Sequence, residues 1–137
     1  MRDFARRLAS LARLTVVGAV VVLLGATASL AETRLALVIG NSAYEKGQLA
    51  NPVNDAKLMS TALAGVGFEV ITVLDADQKS MKKAMIEFGR KLRDTDSVGL
   101  FYYAGHGVQV AGENYLIPLK ADIRDEADVP VEAVAAN

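Results

Sequence analysis

The only histidine of the chain lies between two glycines, directly after an apolar run. His106 follows the run 98–103 and is flanked by Gly105 and Gly107. A histidine takes up and releases protons near neutral pH, so it is the side chain most often used for general acid–base catalysis. The glycines let the backbone turn sharply and a substrate approach, and they leave the Gly107 N–H accessible as a donor. The pattern indicates a catalytic histidine, with a plain loop histidine as the alternative.

Other kinds of chemistry are excluded by residue counts and spacing. The 137 residues contain no Cys, so they hold no disulfide, no thiolate metal site and no cysteine nucleophile. Neither GxxxxGK[ST] nor a complete GxGxxG is present. One histidine with scattered carboxylates gives no metal-ligand spacing, and residues 122–128 do not match an EF-hand. With 15 Lys+Arg against 16 Asp+Glu and no basic run, the charge pattern is not that of a nucleic-acid-binding protein.

Three apolar runs predict the strands that must position this histidine. They are apolar on both faces, as in parallel strands covered by helices on both sides, and they span residues 35–39, 68–74 and 98–103. In open α/β sheets, ligands bind outside the carboxyl ends of the strands. Those ends are Gly40-Asn41, Asp75 and the segment 105–107. We therefore expect a site where these three segments meet.

Two helical patterns lie between the runs. Asn51 and Pro52 predict the N-cap and the first position of one helix, and Gly65 or Gly67 its left-handed end. The second helix carries an apolar stripe of Met81, Met85, Phe88 and Leu92. The order β-α-β-α-β predicts an α/β fold with right-handed crossovers.

The last part of the chain predicts a hairpin followed by a loop. Residues 108–110 and 115–117 flank the turn residues 111–114. From residue 119 on, the sequence is acidic and loop-like, with no closing element. Three parallel strands leave edges that need protection. We therefore expect the chain to be the first part of a longer domain, with a complete small domain that dimerises as the alternative.

The N-terminal segment reads as a targeting signal. Four arginines precede the apolar stretch 14–24, and small residues lead to Ala31. This pattern predicts a signal peptide over residues 1–31, cleaved after Ala31, and an exported, periplasmic or extracellular protein. An uncleaved N-terminal anchor is the alternative, and it would be the only membrane contact.

Three segments in fixed order carry a family resemblance: Arg34–Asn41, Leu49–Ala56 and Phe101–Gly107. Together they resemble the caspase-like cysteine peptidases (peptidase C14), and most closely the bacterial metacaspase-like branch. The resemblance covers residues 33–137. It implies a caspase–hemoglobinase three-layer fold with a mainly parallel sheet, of which residues 32–137 form the N-terminal portion, truncated before the nucleophile.

The resemblance also implies roles for single residues. In this family a Cys–His dyad cleaves peptide bonds, and His106 matches its histidine, the general base and acid. Gly107 would supply an oxyanion-hole N–H, and Gly105 would lie against the substrate. Metacaspases use the Asp of an Asn-Asp pair to bind a basic P1 side chain, which maps to Asp55. A first-turn carboxylate that favours the helix dipole is the alternative for Asp55.

Two departures from the family pattern qualify the expected activity. Ala104 stands where metacaspases often carry Ser, so a strict Arg/Lys preference is not expected. The caspase cysteine lies about 50 residues after the histidine, which is beyond Asn137. The resemblance implies a cysteine endopeptidase as the intact protein, with these 137 residues inactive alone. A catalytically inactive caspase-like binding or scaffold protein is one alternative, and an unrelated exported α/β binding domain is another.

The implied partner is a protein or peptide substrate, without nucleic acid. A Cys–His dyad needs no metal or organic cofactor for its chemistry. Some metacaspases require calcium, but no residue of this sequence establishes a calcium site.

Overall fold

A three-stranded parallel sheet forms the centre of the computed structural model, which describes residues 32–94 and 97–136. The strands are β1 (Thr33–Gly40), β2 (Glu69–Leu74) and β3 (Ser97–Ala104), in the order β2-β1-β3. Residues 35–40 of β1 are buried, because this strand is paired on both sides and covered on both faces. The continuous apolar run predicted this central strand correctly.

Two helices cover the two faces of the sheet. Successive side chains of a strand point to opposite faces. Ala36 and Val38 pack with helix α1 (Pro52–Gly65), whereas Leu37 and Ile39 pack with helix α2 (Gln78–Asp94). The predicted stripe of α2 forms the core contact, and its first member, Met81, is fully buried. The result is the predicted three-layer α/β arrangement.

Both ends of α1 lie where the sequence predicts them. Gly67 has φ +89° and its N–H donates to the carbonyl of Ala64, so this glycine ends the helix as predicted. Asn51 is the N-cap residue and Pro52 follows it at the start of the helix, as predicted, but the Asn51 side chain makes no capping hydrogen bond. Instead the Ser42 hydroxyl accepts from the Val53 N–H at 3.1 Å. The loop after β1 therefore caps α1 from outside the helix.

The predicted hairpin is part of a second, antiparallel sheet. Its strands are β4 (Gly107–Val110), β5 (Glu113–Leu116) and β6 (Val134–Ala135), in the order β4-β5-β6. The turn between β4 and β5 has only two residues, Ala111 and Gly112, with φ +50° and +86°. Positive φ at both positions matches the twist of a tight hairpin, which is why the turn is shorter than the predicted four residues.

The acidic tail is ordered, and the prediction of a loop without a closing element is wrong. A 3₁₀ turn (Glu126–Asp128) leads into helix α3 (Val129–Glu132), which is followed by β6. The tail is fixed to α2 by the Gln78 amide, which donates to the carbonyls of Val131 and Ala133 at 2.6 and 2.9 Å. The side chains of Val129 and Val134, which stand in and after the acidic stretch, are also buried, and Val134 packs in the core beside α2.

The outer strand β3 is less covered than the sequence predicts. Among the described strands it pairs only with β1. Its side chains Val98 and Phe101 are 42% and 40% exposed. The expectation that all three strands are buried on both faces therefore holds for β1 but not for β3.

The predicted signal peptide, residues 1–31, and the alternative anchor lie outside the described residues. Within residues 32–94 and 97–136, no helix has the length and apolar character needed to cross a bilayer.

Candidate active site

His106 lies in the short connection between β3 and β4, at the carboxyl end of the parallel sheet. The side chain is half-buried, and its Nε2 lies 2.5 Å from the carbonyl oxygen of Gly47. A carbonyl can only accept, so Nε2 carries the proton. Among the residues that the structure describes, none bonds to Nδ1. The ring is therefore held with one nitrogen free to accept a proton.

Tyr44 supports both the ring and the backbone of His106. The two ring centroids are 4.5 Å apart, with an angle of 54° between the planes. The His106 N–H donates to the Tyr44 hydroxyl at 3.0 Å, and that hydroxyl donates to the carbonyl of Ile117 at 2.9 Å. Tyr44 is only 8% exposed, so these bonds are shielded from water.

A second tyrosine completes this support. The Tyr103 hydroxyl donates to the His106 carbonyl at 2.8 Å and lies 3.2 Å from the Tyr44 hydroxyl. The same carbonyl also accepts from the Ile117 N–H at 2.9 Å. Burial, followed by the hydrogen bond with Tyr44, raises the pKa of Tyr103 well above its usual range. Tyr103 therefore stays a neutral donor at physiological pH.

The two glycines around His106 have different surroundings. A Cβ at Gly105 would lie 2.5 Å from the Tyr103 hydroxyl and 2.7 Å from that of Tyr44, so the tyrosine pair needs a glycine there. At Gly107 a Cβ would meet only the Tyr115 carbonyl, at an ordinary 3.4 Å. The predicted contact of Gly105 with substrate stays a prediction, and the structure adds a packing reason for this glycine.

The Gly107 N–H points away from the antiparallel sheet. Gly107 pairs with Leu116 in the register of β4 and β5. The hydrogen bond from the Ile117 N–H to the His106 carbonyl makes this a non-hydrogen-bonded pair. The Gly107 N–H is thus not used by β5, which suits the predicted role as an oxyanion donor.

The loop that supplies Gly47 and Tyr44 is fastened at its start. Asp75, which follows β2 and has φ +49°, accepts from the N–H groups of Ser42 and Ala43 at 2.8 and 3.0 Å. The Ser42 carbonyl accepts from the N–H groups of Tyr44 and Leu49, which closes the loop on itself. The loop 42–49 therefore leaves the sheet in one defined direction.

A buried amide joins the strand ends beneath the site. Asn41 is fully buried, and its Oδ1 accepts from the Ala76 N–H at 2.9 Å. Its Nδ2 lies 3.4 Å from the carbonyls of Ala76 and Ile117. The same Ile117 carbonyl accepts from Tyr44, so the amide and the tyrosine pair share one anchor. The predicted meeting of the segments around Asn41, Asp75 and His106 is confirmed.

Asp55, the predicted P1-binding residue, is exposed in the first turn of α1. A cleft of about 510 Å³ is bordered by its neighbour Asn54 and by Asp75, but Asp55 is not among the lining residues. The structure thus leaves both interpretations of Asp55 as predictions.

A second cleft of about 430 Å³ opens beside His106. Charged side chains of both signs border it: Glu45, Lys46, Lys120 and Asp122. Arg124 pairs with Asp122 at 2.6 Å and, as the main cause, lowers the pKa of that carboxyl. His106 itself is one of the residues that line this cleft.

Within the described ranges, no group of three or more His, Cys, Asp or Glu side chains is placed to hold a metal ion. All buried side-chain nitrogen and oxygen atoms there have a hydrogen-bond partner. The site brings together the His106 ring, the Gly107 N–H that β5 does not use and the hydroxyls of Tyr44 and Tyr103.

Sequence reasoning missed several residues of this site, namely Gly47, Tyr44 and the support role of Tyr103. The first two lie 59 and 62 positions before His106. A tyrosine and a glycine in an exposed-looking segment gave no local pattern that could have singled them out. Only the rule that ligands bind outside the carboxyl ends of parallel strands indicated this end of the sheet.

The sequence is similar to known proteins over most of its length. The family model described as "Caspase domain" (Peptidase_C14) matches residues 33–133. The chain is also similar to "Mucosa-associated lymphoid tissue lymphoma translocation protein 1" of Homo sapiens and to its homolog in Mus musculus. Each is 37% identical over 93 residues, which is 67% of this chain and 11% of the relative. The chain thus spans a small part of the curated relatives it matches.

Proposed function

Because the chain belongs to the caspase domain family of peptidases, we propose that the intact protein is a cysteine endopeptidase in which His106 is the general base and acid. The observation that carries the proposal is the fixed ring of His106, with its Nε2 proton bound by Gly47 and its Nδ1 free. The residues 1–137 contain no Cys. The thiol of the dyad must therefore come from outside these residues.

The proposed reaction uses His106 twice. Nδ1 takes the proton of the thiol, and the thiolate attacks the carbonyl carbon of the scissile peptide bond. The imidazolium then gives the proton to the leaving amine, which frees an acyl-enzyme that water hydrolyses. The Gly47 carbonyl keeps the ring oriented throughout, since it accepts a hydrogen bond from the Nε2 N–H.

Gly107 is the proposed oxyanion donor. Its N–H is not used by β5 and belongs to the residue that directly follows His106, and both observations support this role. Removal of one such donor typically lowers the rate by about 10²–10³-fold. We also propose that substrate contacts the backbone at Gly105, the residue directly before His106.

The finer features of the family assignment are part of this proposal. We propose a metacaspase-type preference for Arg or Lys at P1, bound by Asp55 at the start of α1. We also propose that residues 1–31 export the protein, that its partner is a protein or peptide substrate and that the dyad needs no cofactor. N-terminal sequencing of the exported protein should find Glu32 as its first residue.

The test uses the full-length protein and fluorogenic peptides that end in Arg, Lys or Asp. The substitution His106→Ala should lower kcat/KM by about 10²–10⁴-fold, because it removes the general base. Gln109→Ala is the matched control, since this exposed side chain bonds only to Asn114 across the hairpin. Iodoacetamide should abolish the activity, and the 137 residues alone should show none.

Two results would contradict the proposal. Turnover that survives both His106→Ala and iodoacetamide would exclude a Cys–His dyad. A full-length protein without a cysteine at the family position, and without turnover, would instead support the alternative, a caspase-like pseudopeptidase that binds partners. The observation that supports this second candidate is the absence of Cys from residues 1–137.

A further inference from the structure

We propose that Asp75 is a positioning residue for His106, acting through the loop 42–49. The inference rests on the proposed function for its catalytic consequence, but its structural part does not. Asp75 does not touch His106. It fastens the one loop that contributes both the Gly47 carbonyl and the Tyr44 side chain to the histidine.

The contacts of Asp75 are directed at the start of this loop. Its Oδ1 accepts from the N–H groups of Ser42 and Ala43 at 2.8 and 3.0 Å. Its own N–H donates to the Gly40 carbonyl at 2.8 Å, which ties the end of β2 to the end of β1. A carboxylate that accepts two backbone N–H groups makes stronger bonds than a neutral acceptor. The segment that directly precedes Tyr44 is therefore held from the neighbouring strand.

Apart from the bonds to Asp75, few contacts fix the loop 42–49 in place. Residues 45–48 are exposed, and the other bonds from this loop to the described segments around it are made by the Ser42 hydroxyl, the Tyr44 hydroxyl and the Gly47 carbonyl. Without the carboxylate, the loop backbone on both sides of Tyr44 could shift while the Tyr44 ring stays buried. The Gly47 carbonyl would then no longer stay 2.5 Å from Nε2, and the ring would lose the contact that fixes its proton on that nitrogen.

The backbone conformation of Asp75 determines which substitutions can replace the carboxylate without straining the chain. Its φ of +49° lies in the left-handed region, where Asn and Gly are tolerated best. Asp75→Asn keeps both the conformation and an acceptor oxygen, whereas Asp75→Gly keeps the conformation and removes the acceptor. Asp77→Gly is the matched control, because this carboxylate at the same strand end accepts from the Ser80 N–H in α2 and not from the loop.

The first measurement is an NMR spectrum of the full-length protein with ¹⁵N-labelled histidine, recorded at alkaline pH. His106 is the single histidine of residues 1–137, so its signals are assigned by comparison with His106→Ala. The wild type, Asp75→Asn and Asp77→Gly should all show a protonated Nε2 and an unprotonated Nδ1. Asp75→Gly should show a mixture of both tautomers, with averaged nitrogen shifts.

The second measurement is peptidase kinetics of the same variants. Asp75→Gly should lower kcat by about tenfold with KM changed less than about twofold, since misplacement of a catalytic group reduces the rate of the chemical step. Asp75→Asn and Asp77→Gly should stay within about twofold of the wild type.

The outcomes separate this inference from the proposed function. Unchanged histidine signals in Asp75→Gly, or equal changes in Asp77→Gly, would overturn the positioning role whether or not the protein is a peptidase. Tautomer mixing in a protein that cleaves nothing would support the positioning role and contradict only the proposed function. If Asp75→Gly does not fold, Asp75→Glu, which displaces the carboxylate by one methylene, must show the same mixing.

Discussion

A methyl group at Gly105 should break the network that holds the backbone of His106. An ideal Cβ would lie 2.5 Å from the Tyr103 hydroxyl oxygen and 2.7 Å from that of Tyr44. Heavy atoms pack best at about 3.5–4.0 Å, so both hydroxyls would have to move by roughly 1 Å. Three hydrogen bonds of 2.8–3.0 Å, to His106 and Ile117, fix those hydroxyls where they are.

The size of the effect follows from these bonds. A net loss of about 0.5–1.5 kcal/mol for each of three hydrogen bonds predicts a decrease of about 1.5–4.5 kcal/mol in the free energy of unfolding. Overpacking of a well-packed site costs about 1–3 kcal/mol, which agrees. For a domain of this size the thermal midpoint should fall by roughly 10–20 °C.

The assay is urea or thermal unfolding followed by circular dichroism, with Gly107→Ala as the matched control. At Gly107 the added Cβ meets only the Tyr115 carbonyl, at 3.4 Å, so stability should change by less than about 0.5 kcal/mol. Adding Tyr103→Phe to Gly105→Ala should recover part of the loss, since it removes the closest atom. Equal stability of the two alanine variants would refute the reasoning.

Three further predictions concern single side chains. Because burial raises the pKa of Tyr103, the protonated hydroxyl stabilises the fold fully below about pH 10, and this stabilisation is lost as the pH rises further. Above about pH 10 the free energy of unfolding should fall by up to about 1.4 kcal/mol per pH unit. In urea titrations at a series of pH values, Tyr103→Phe should make this fall less steep. Asn41→Asp should destabilise the fold by about 3 kcal/mol at pH 8 and by less at pH 5, since the fully buried carboxylate would face the Ile117 carbonyl unless protonated; equal unfolding midpoints at both pH values would contradict this. Asp55→Asn should lower kcat/KM for peptides ending in Arg or Lys by about 10- to 100-fold and leave Asp-terminated peptides unchanged; a uniform loss, or the same loss in Asp77→Asn, would leave Asp55 as a first-turn carboxylate only.

The sequence was sufficient for the parts of the fold that have a local pattern. The continuous apolar run of β1 and the stripe beginning at Met81 each reflect burial of a regular element, and both are confirmed. The tail was missed although Asp125 and Asp128 form a capping box there. The two-residue strand β6 is too short for any period, and only its pairing with β5 makes it a strand.

In the site too, the residues that could be predicted are those whose position follows from a local sequence pattern. His106 could be found because its position is set by the end of β3, which a local run of apolar residues marks. The Gly47 carbonyl could not be found, since a backbone oxygen carries no sequence signal. Its role depends on where the loop 42–49 is directed by Asp75, which belongs to another strand.

The bonds around His106 also determine when during folding this region can become complete. They join residues 59, 62 and 73 positions apart, the last from Tyr44 to Ile117. Closing such long loops costs chain entropy, and contacts of high sequence separation slow folding. On the ribosome, α1 and the β1–β2 pair can therefore form before Ile117 has emerged, while His106 stays uncovered. In refolding experiments the histidine resonance should reach its native position later than the helical circular dichroism signal.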